Sequence, residues 1–262
     1  MDIKNLPELH PAEFEHTQKL AKLLQQEIES NGPISFEQYM TQALYHPEYG
    51  YYTSARLKLA SDKNNSQAIS GDFVTAPELS PWFGRTLALA IAEVLAHCAE
   101  KNILEFGAGS GILAKQVLDS LEDSNTKYFI LELSNDLKNL QQQTLADYQD
   151  RVIWLDQLPE SFIGCVIANE VLDAMPVRLL RRDEQNQIKE RFVDINPSTA
   201  ADSLPQFIWS DQAIKQDNIP HDIDHLLEIG GYTSEFNEQA KAWVTSMGSW
   251  LKQGAAILID YG

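Results

Sequence analysis

Cysteine is nearly absent from this chain: 262 residues hold two, Cys98 and Cys165, each inside an apolar run and neither in C-x-x-C spacing. That excludes a disulfide framework and a cysteine zinc site, and leaves two buried thiols in a reducing compartment as the expectation. Basic residues are scarce too, 20 Lys+Arg against 38 Asp+Glu, for a net charge of −18. A field of that sign repels nucleic-acid phosphates and anionic lipid, so no nucleic-acid partner is expected. The densest basic spot, Arg178, Arg181 and Arg182, runs straight into Asp183 and Glu184. A cationic partner suits such a surface, although solubility alone also accounts for it. No apolar run approaches the roughly 20 residues of a membrane span. The opening "MDIKNLPELHPAEFEH" has neither the apolar core of a secretion signal nor the arginine bias of an organellar presequence, which points to a bacterial cytoplasm. The six histidines, His10, His16, His46, His97, His221 and His225, are scattered, and only the last two have i, i+4 spacing. With no third ligand evident, no metal is expected. Internal repeats and low-complexity tracts are missing as well.

What is present reads as a globular protein with ordinary apolar content, 44%. Residues 12–30 carry Phe14, Leu20, Leu23, Leu24 and Ile28 at helical spacing, and a second helix runs through "SFEQYMTQALY" with Ser35 as its cap. The aromatic "HPEYGYYTS" predicts a turn, residues 61–70 a polar loop, and 82–97 a long apolar helix. From residue 102 strands and helices alternate: "ILEF" before helix 111–121, "YFILEL" before helix 136–147, then "VIWL" and "CVIANE". Continuous apolar runs of this kind suit parallel strands buried on both faces, hence a doubly wound α/β sheet. Residues 177–195 predict a β-hairpin turning at "DEQNQ", with "QFIWS" as a third antiparallel strand. A helix over 233–252 is expected to lead into a fifth core strand, "AAILIDYG". Such a strand normally feeds a further crossover, so the chain ending at Gly262 reads as a fragment lacking its last sheet strands.

The loop "LEFGAGSGIL" decides which cofactor this sheet would hold. A dinucleotide fingerprint needs G-x-G-x-x-G, yet Ile112 stands where the third glycine belongs; a P-loop would need Gly-Lys-Ser/Thr. What remains is E-x-G-x-G-x-G, with Glu105, Gly107, Ala108, Gly109 and Gly111. This spacing resembles the first motif of class I S-adenosylmethionine-dependent methyltransferases. Glycines let the methionine end and ribose lie against the backbone, and Glu105 can meet the cofactor's ammonium group. Twenty-five residues after Gly107, Glu132 ends the second strand, where an acid accepts ribose hydroxyls; Asp156, just past the third, suits the adenine amino group. A turn without ligand, with Glu132 and Asp156 as surface or capping groups, is the bland reading. An oxidoreductase would share the acid after strand two, so the glycine spacing carries the distinction.

Three longer blocks extend the likeness: "YMTQALYHPEYGYYTS" (39–54), "GDFVTAPELSPWFG" (71–84) and "IANEVLDAMPVRLL". From about residue 20 to the final "IDYG" the chain resembles the MidA family of class I methyltransferases, which includes a mitochondrial arginine methyltransferase acting in complex I assembly. The resemblance implies a Rossmann-like sheet with S-adenosyl-L-methionine as cofactor and an arginine on a partner protein as acceptor. It also implies an N-terminal helical cap region (1–80), a cofactor-binding domain (81–262) and further chain beyond the equivalent of Gly262.

Arginine keeps its proton at neutral pH, so its lone pair is delocalised. Carboxylates clamped on two nitrogens would localise the charge there and leave the third to attack, and one carboxylate can take the released proton. Glu170 and Asp173, just past strand four, are the candidates; a helical turn starting there would put both on one face. Asn169 would orient the acceptor or the cofactor's methionine portion. Alternatively, Asp173 caps a short helix and Glu170 pairs with an arginine. In the 71–78 block, Gly71 and Thr75 are cofactor-binding candidates, whereas Asp72 and Glu78 are equally well read as caps. Tyr49, Tyr51 and Tyr52 would roof the pocket or pack in the core. Two other functions stay open: a cofactor-binding assembly scaffold without catalysis, and a small-molecule methyltransferase.

Overall fold

The computed structural model describes residues 11–53, 75–198, 204–215, 219–220, 223 and 230–260. The chain divides into two compact units, one formed by 1–56 with 176–239 and the other by 57–175 with 240–262.

In the first unit, α1 (Pro11–Asn31) buries Leu24 and Ile28 against Ile34 and Val193, the spacing that its sequence displays. The two-residue strand β1 (Ile34–Ser35) precedes α2 (Phe36–Tyr45). Ser35 caps α2 through a capping box, accepting from the Gln38 N–H while the Gln38 side chain accepts from the Ser35 N–H. Strands β6 (Arg178–Arg182) and β7 (Ile188–Ile195) form the expected hairpin. Residues Phe207–Ala213 add β8 antiparallel to β7. One expectation fails here: the start of the helix foreseen over 233–252 is a strand, β9 (Thr233–Phe236), antiparallel to β6. Pairing with Arg178–Arg181 supplies its backbone partners, and Phe236 packs against Leu180 and Ile223. Helix α7 (Glu238–Trp250) starts only after it.

The second unit is a five-stranded sheet, all parallel: β2 (Asn102–Phe106), β3 (Lys127–Leu131), β4 (Val152–Leu155), β5 (Phe162–Asn169) and β10 (Leu251–Ile259). Their order is β10-β5-β2-β3-β4. One face packs Ile103, Tyr128, Ile130 and Ile167 against α4 (Pro81–Ala96) and α5 (Ile112–Ser120). The other packs Leu104, Phe106, Phe162 and Val166 against Met247 and Trp250 of α7. Burial on both faces explains the unbroken apolar runs. The helix expected at 136–147 is α6 (Asn135–Thr144) followed by a 3₁₀ turn at Ala146–Tyr148. A one-turn helix, α3 (Ala76–Leu79), precedes α4. From β2 the chain winds outward to β3 and β4, then returns to the other side of β2 as β5 and β10. The strand order therefore reverses between β2 and β5, and a doubly wound sheet opens its ligand crevice at the carboxyl ends there.

Candidate active site

The glycine loop leaves β2 at that reversal. Gly107, Gly109 and Gly111 take φ of +60°, +54° and +82°, a left-handed region that costs other residues roughly 1–2 kcal/mol each. A Cβ on Gly109 would meet nothing within 4 Å, so its backbone faces open space. Gly111 is packed instead, since a Cβ there would lie 3.3 Å from Cα of Gln141. The three glycines thus serve two purposes, an open cradle and a tight seat for α6. Ala108 is buried, and its carbonyl accepts from the Gly111 N–H at 2.8 Å.

Glu105 lies beneath the loop. It is almost fully buried, and the Tyr128 hydroxyl donates to it at 2.8 Å. Burial, reinforced by the charge of Glu132 and opposed by the Tyr128 bond, raises its carboxyl to about 7. The structure does not bring this side chain to the open face of the loop.

Glu132 does stand beside the loop. Its carboxylate accepts from the Ser134 N–H (2.9 Å) and from Nε2 of Gln141 (2.9 Å), and burial raises its pKa. The Leu133 N–H bonds it as well; a carboxylate has about four acceptor positions, so about one remains for a hydroxyl. Asp156 is separate: its side chain is 91% exposed and pairs with Lys138 at 3.0 Å. Gln141, which sequence reasoning missed, is fully buried and joins Glu132, the Gly109 carbonyl and Trp154. No local signal marked it, because it stands first in the polar run "QQQ".

Across the crevice, β5 ends at Asn169 beside Ile259 of β10. Residues 170–175 form a turn closed by the Met175 N–H on the Leu172 carbonyl, not the helix that the one-face spacing of Glu170 and Asp173 required. The end of β10 holds this turn. The Ile259 carbonyl accepts from the Glu170 N–H, and Oδ2 of Asp260 accepts from the Leu172 and Asp173 N–H groups at 2.9 and 3.1 Å. Glu170 sits at φ +53°, rare for a side chain of its type. Desolvation, with Asp260 nearby, raises the Asp173 carboxyl. Asn169, Glu170 and Asp173 are therefore gathered on one short, tied-down segment.

The 75–84 segment is fastened to the glycine loop and α5. Glu78 accepts from the Ser110 hydroxyl, and Gln116 donates to the Pro77 carbonyl (2.8 Å) while accepting from the Gly84 N–H (3.2 Å). Thr75 is the α3 N-cap residue without a side-chain capping bond, and its carbonyl accepts from the Glu78 N–H. Gly71, Asp72 and the 61–70 loop lie outside the described residues, as do His221 and His225. In the other unit, Tyr49 packs on His16 and His46, and Tyr51 on Tyr52. Among the described residues no three His, Cys, Asp or Glu side chains gather as a metal site, and no helix is long and apolar enough to cross a membrane.

Residues 86–262 match the model of a family described as S-adenosyl-L-methionine-dependent methyltransferase. The mitochondrial protein arginine methyltransferase NDUFAF7 of Danio rerio is 26% identical over 93% of this chain and 62% of its own length. Its human counterpart is 26% identical over 96% and 61%. A crystal structure of a Burkholderia thailandensis protein bound to S-adenosyl-homocysteine superposes with a TM-score of 0.81 at 37% identity, over 98% of this chain and 66% of that one. A native crystal structure from the same organism gives 0.79 at 38% identity, over 98% and 65%. The chain thus spans just under two thirds of the length of these relatives.

Proposed function

The chain belongs to the MidA-type family of S-adenosyl-L-methionine-dependent methyltransferases, and from that premise we propose that it transfers a methyl group to an arginine side chain of a partner protein. The observation that carries this reading is the strand reversal, where an open glycine cradle with Glu132 beside it follows β2 and the tied-down Asn169–Asp173 turn follows the neighbouring strand β5. The site fits the cofactor on its own chemistry: Gly109 leaves room at the backbone, Glu132 keeps acceptor capacity for a hydroxyl, and the surrounding acids suit a cationic ligand. When bound, S-adenosylmethionine supplies a methyl group already activated on a positively charged sulfur.

The chain's own residues do the rest. Gly107, Ala108 and Gly109 line the backbone cradle, Glu132 holds the ribose, and Asp156 with Lys138 borders the adenine end. Gly111 seats α6, and Glu105 supports the loop from beneath through Tyr128. Thr75 flanks the glycine loop through the segment that Glu78 and Gln116 fasten, and Gly71 is assigned to the cofactor side by family resemblance. Glu170 and Asp173 hold two nitrogens of the acceptor guanidinium, and Asn169 orients the third. One of these carboxylates would take the proton that the nitrogen gives up as it bonds the methyl group and the methyl's bond to the cofactor's sulfur breaks; desolvation already favours a proton on Asp173. Near-attack positioning supplies most of the rate. The arginine acceptor and an assembly role are supported by the NDUFAF7 relatives' names and by the family resemblance. An intracellular location follows from the same reading.

Calorimetry with S-adenosylhomocysteine, followed by labelled cofactor and cell lysate, tests this. A labelled arginine on a protein band supports it. Binding without any label transfer would instead favour a scaffold, and label appearing only on metabolites a small-molecule enzyme. In Gly109→Ala, the added methyl should fill the open cradle and weaken binding at least about tenfold, while the φ penalty costs about 1–2 kcal/mol of stability.

A further inference from the structure

Gln141 uses its polar atoms in an orientation that a neighbour dictates. The Trp154 indole N–H can only donate, and it donates to Oε1 of Gln141 at 3.0 Å. That fixes the amide, so both hydrogens of Nε2 must point the other way. One goes to the Gly109 carbonyl (3.0 Å) and the other to Oε2 of Glu132 (2.9 Å). The residue is fully buried, so no water can replace these partners at low cost. Its main chain packs close to Gly111: a Cβ added there would lie 3.3 Å from Cα of Gln141, so a larger residue would make α6 give way slightly.

We propose that Gln141 is a positioning residue for cofactor binding, holding Glu132 and the glycine loop in mutual register, and that Trp154 on β4 sets its orientation. The inference rests on the cofactor reading above and adds a chemical reason for the third glycine. One Nε2 hydrogen fixes Oε2 of the Glu132 carboxylate. The other Nε2 hydrogen ties down the carbonyl of Gly109, where an added Cβ would meet nothing within 4 Å. Without the Trp154 donor the amide can flip, which would place Oε1 against two acceptors.

The test uses the full chain, S-adenosylhomocysteine as probe, calorimetry for affinity and thermal unfolding as the control for folding. Gln141→Leu keeps the bulk and removes both donors, and affinity should fall about 10- to 100-fold. Trp154→Phe keeps an aromatic ring and removes only the orienting N–H; affinity should fall by about threefold to tenfold although the residue is remote from the cradle. A purely structural role would lower the melting temperature of both variants and leave the affinity of the folded protein unchanged, which would overturn the inference. If Gln141→Leu does not fold, Trp154→Phe decides by the same criterion. Failure of the unaltered protein to bind the probe overturns the cofactor reading and this inference together. Binding by the unaltered protein with unchanged affinity in the folded variants overturns this inference alone.

Discussion

Burial raises the Glu105 carboxyl to about 7 from an ordinary 4.5, and the shift has a thermodynamic consequence. The folded state binds the proton more tightly than the unfolded state. Its contribution to stability is therefore complete below about pH 4.5 and is lost as pH rises through about 7. The full shift is worth on the order of 3 kcal/mol. Glu105→Gln keeps the acceptor for Tyr128 but cannot ionise. The variant should match the parent near about pH 5 and be more stable near about pH 8 by on the order of 1–3 kcal/mol. Denaturant titrations of both proteins across that range check it, and parallel profiles would show that Glu105 is not the titrating group. At Glu170 the relevant quantity is backbone strain. A left-handed φ costs an ordinary residue about 1–2 kcal/mol, whereas glycine costs about 0.5–1 kcal/mol in unfolded-state entropy. These offset, so Glu170→Gly should stay within about 1 kcal/mol of the parent in stability. Methyl transfer should nevertheless fall at least about 100-fold if the carboxylate holds the acceptor. Transfer at the parental rate would remove Glu170 from the mechanism.

Packing between α4 and α5 depends on Gly84. A Cβ there would lie 2.4 Å from Cβ of Gln116, an atom fixed to the α5 backbone. Alanine improves helix propensity by about 1 kcal/mol, but overpacking costs about 1–3 kcal/mol and forces the helices apart. The clash should win, so Gly84→Ala lowers the melting temperature. Because Gln116 also holds the Pro77 carbonyl, the same change should loosen the 75–84 segment, measurable as faster amide exchange at Glu78 and Leu79. Elements of this kind divide sharply in how far sequence reveals them. Parallel strands announced themselves by unbroken apolar runs, the glycine loop by its spacing, and the 178–195 hairpin by alternation around a polar turn. Thr233–Phe236 did not, since four residues gain their strand character from pairing with β6, a tertiary effect that no local pattern contains. The turn after Asn169 was hidden likewise, because its shape comes from Asp260, close to ninety positions on. Gln141 escaped because a polar residue on a polar helix carries no sign of burial.

Across the whole molecule the charge is one-sided, −18. The densest basic stretch is partly paired within its own antiparallel sheet: Arg178 pairs with Glu190 at 2.9 Å, and Arg181 and Arg191 share Asp211. A net charge of −18 makes the average field around the chain negative. Such a field draws a cationic segment inward and speeds encounter, an effect that salt screens beyond about 10 Å at ~0.1 M. S-adenosylhomocysteine carries compensating ammonium and carboxylate groups, so its binding should respond little. With a basic arginine-bearing peptide as acceptor, raising ionic strength from about 20 to about 300 mM should lower kcat/KM about tenfold or more, mainly through slower association. Affinity for S-adenosylhomocysteine over the same range should change by less than about twofold. Equal loss on both would mean that salt acts on the fold. A salt-insensitive kcat/KM would mean that the acceptor is recognised by the crevice alone, and that the acidity of this chain serves only solubility.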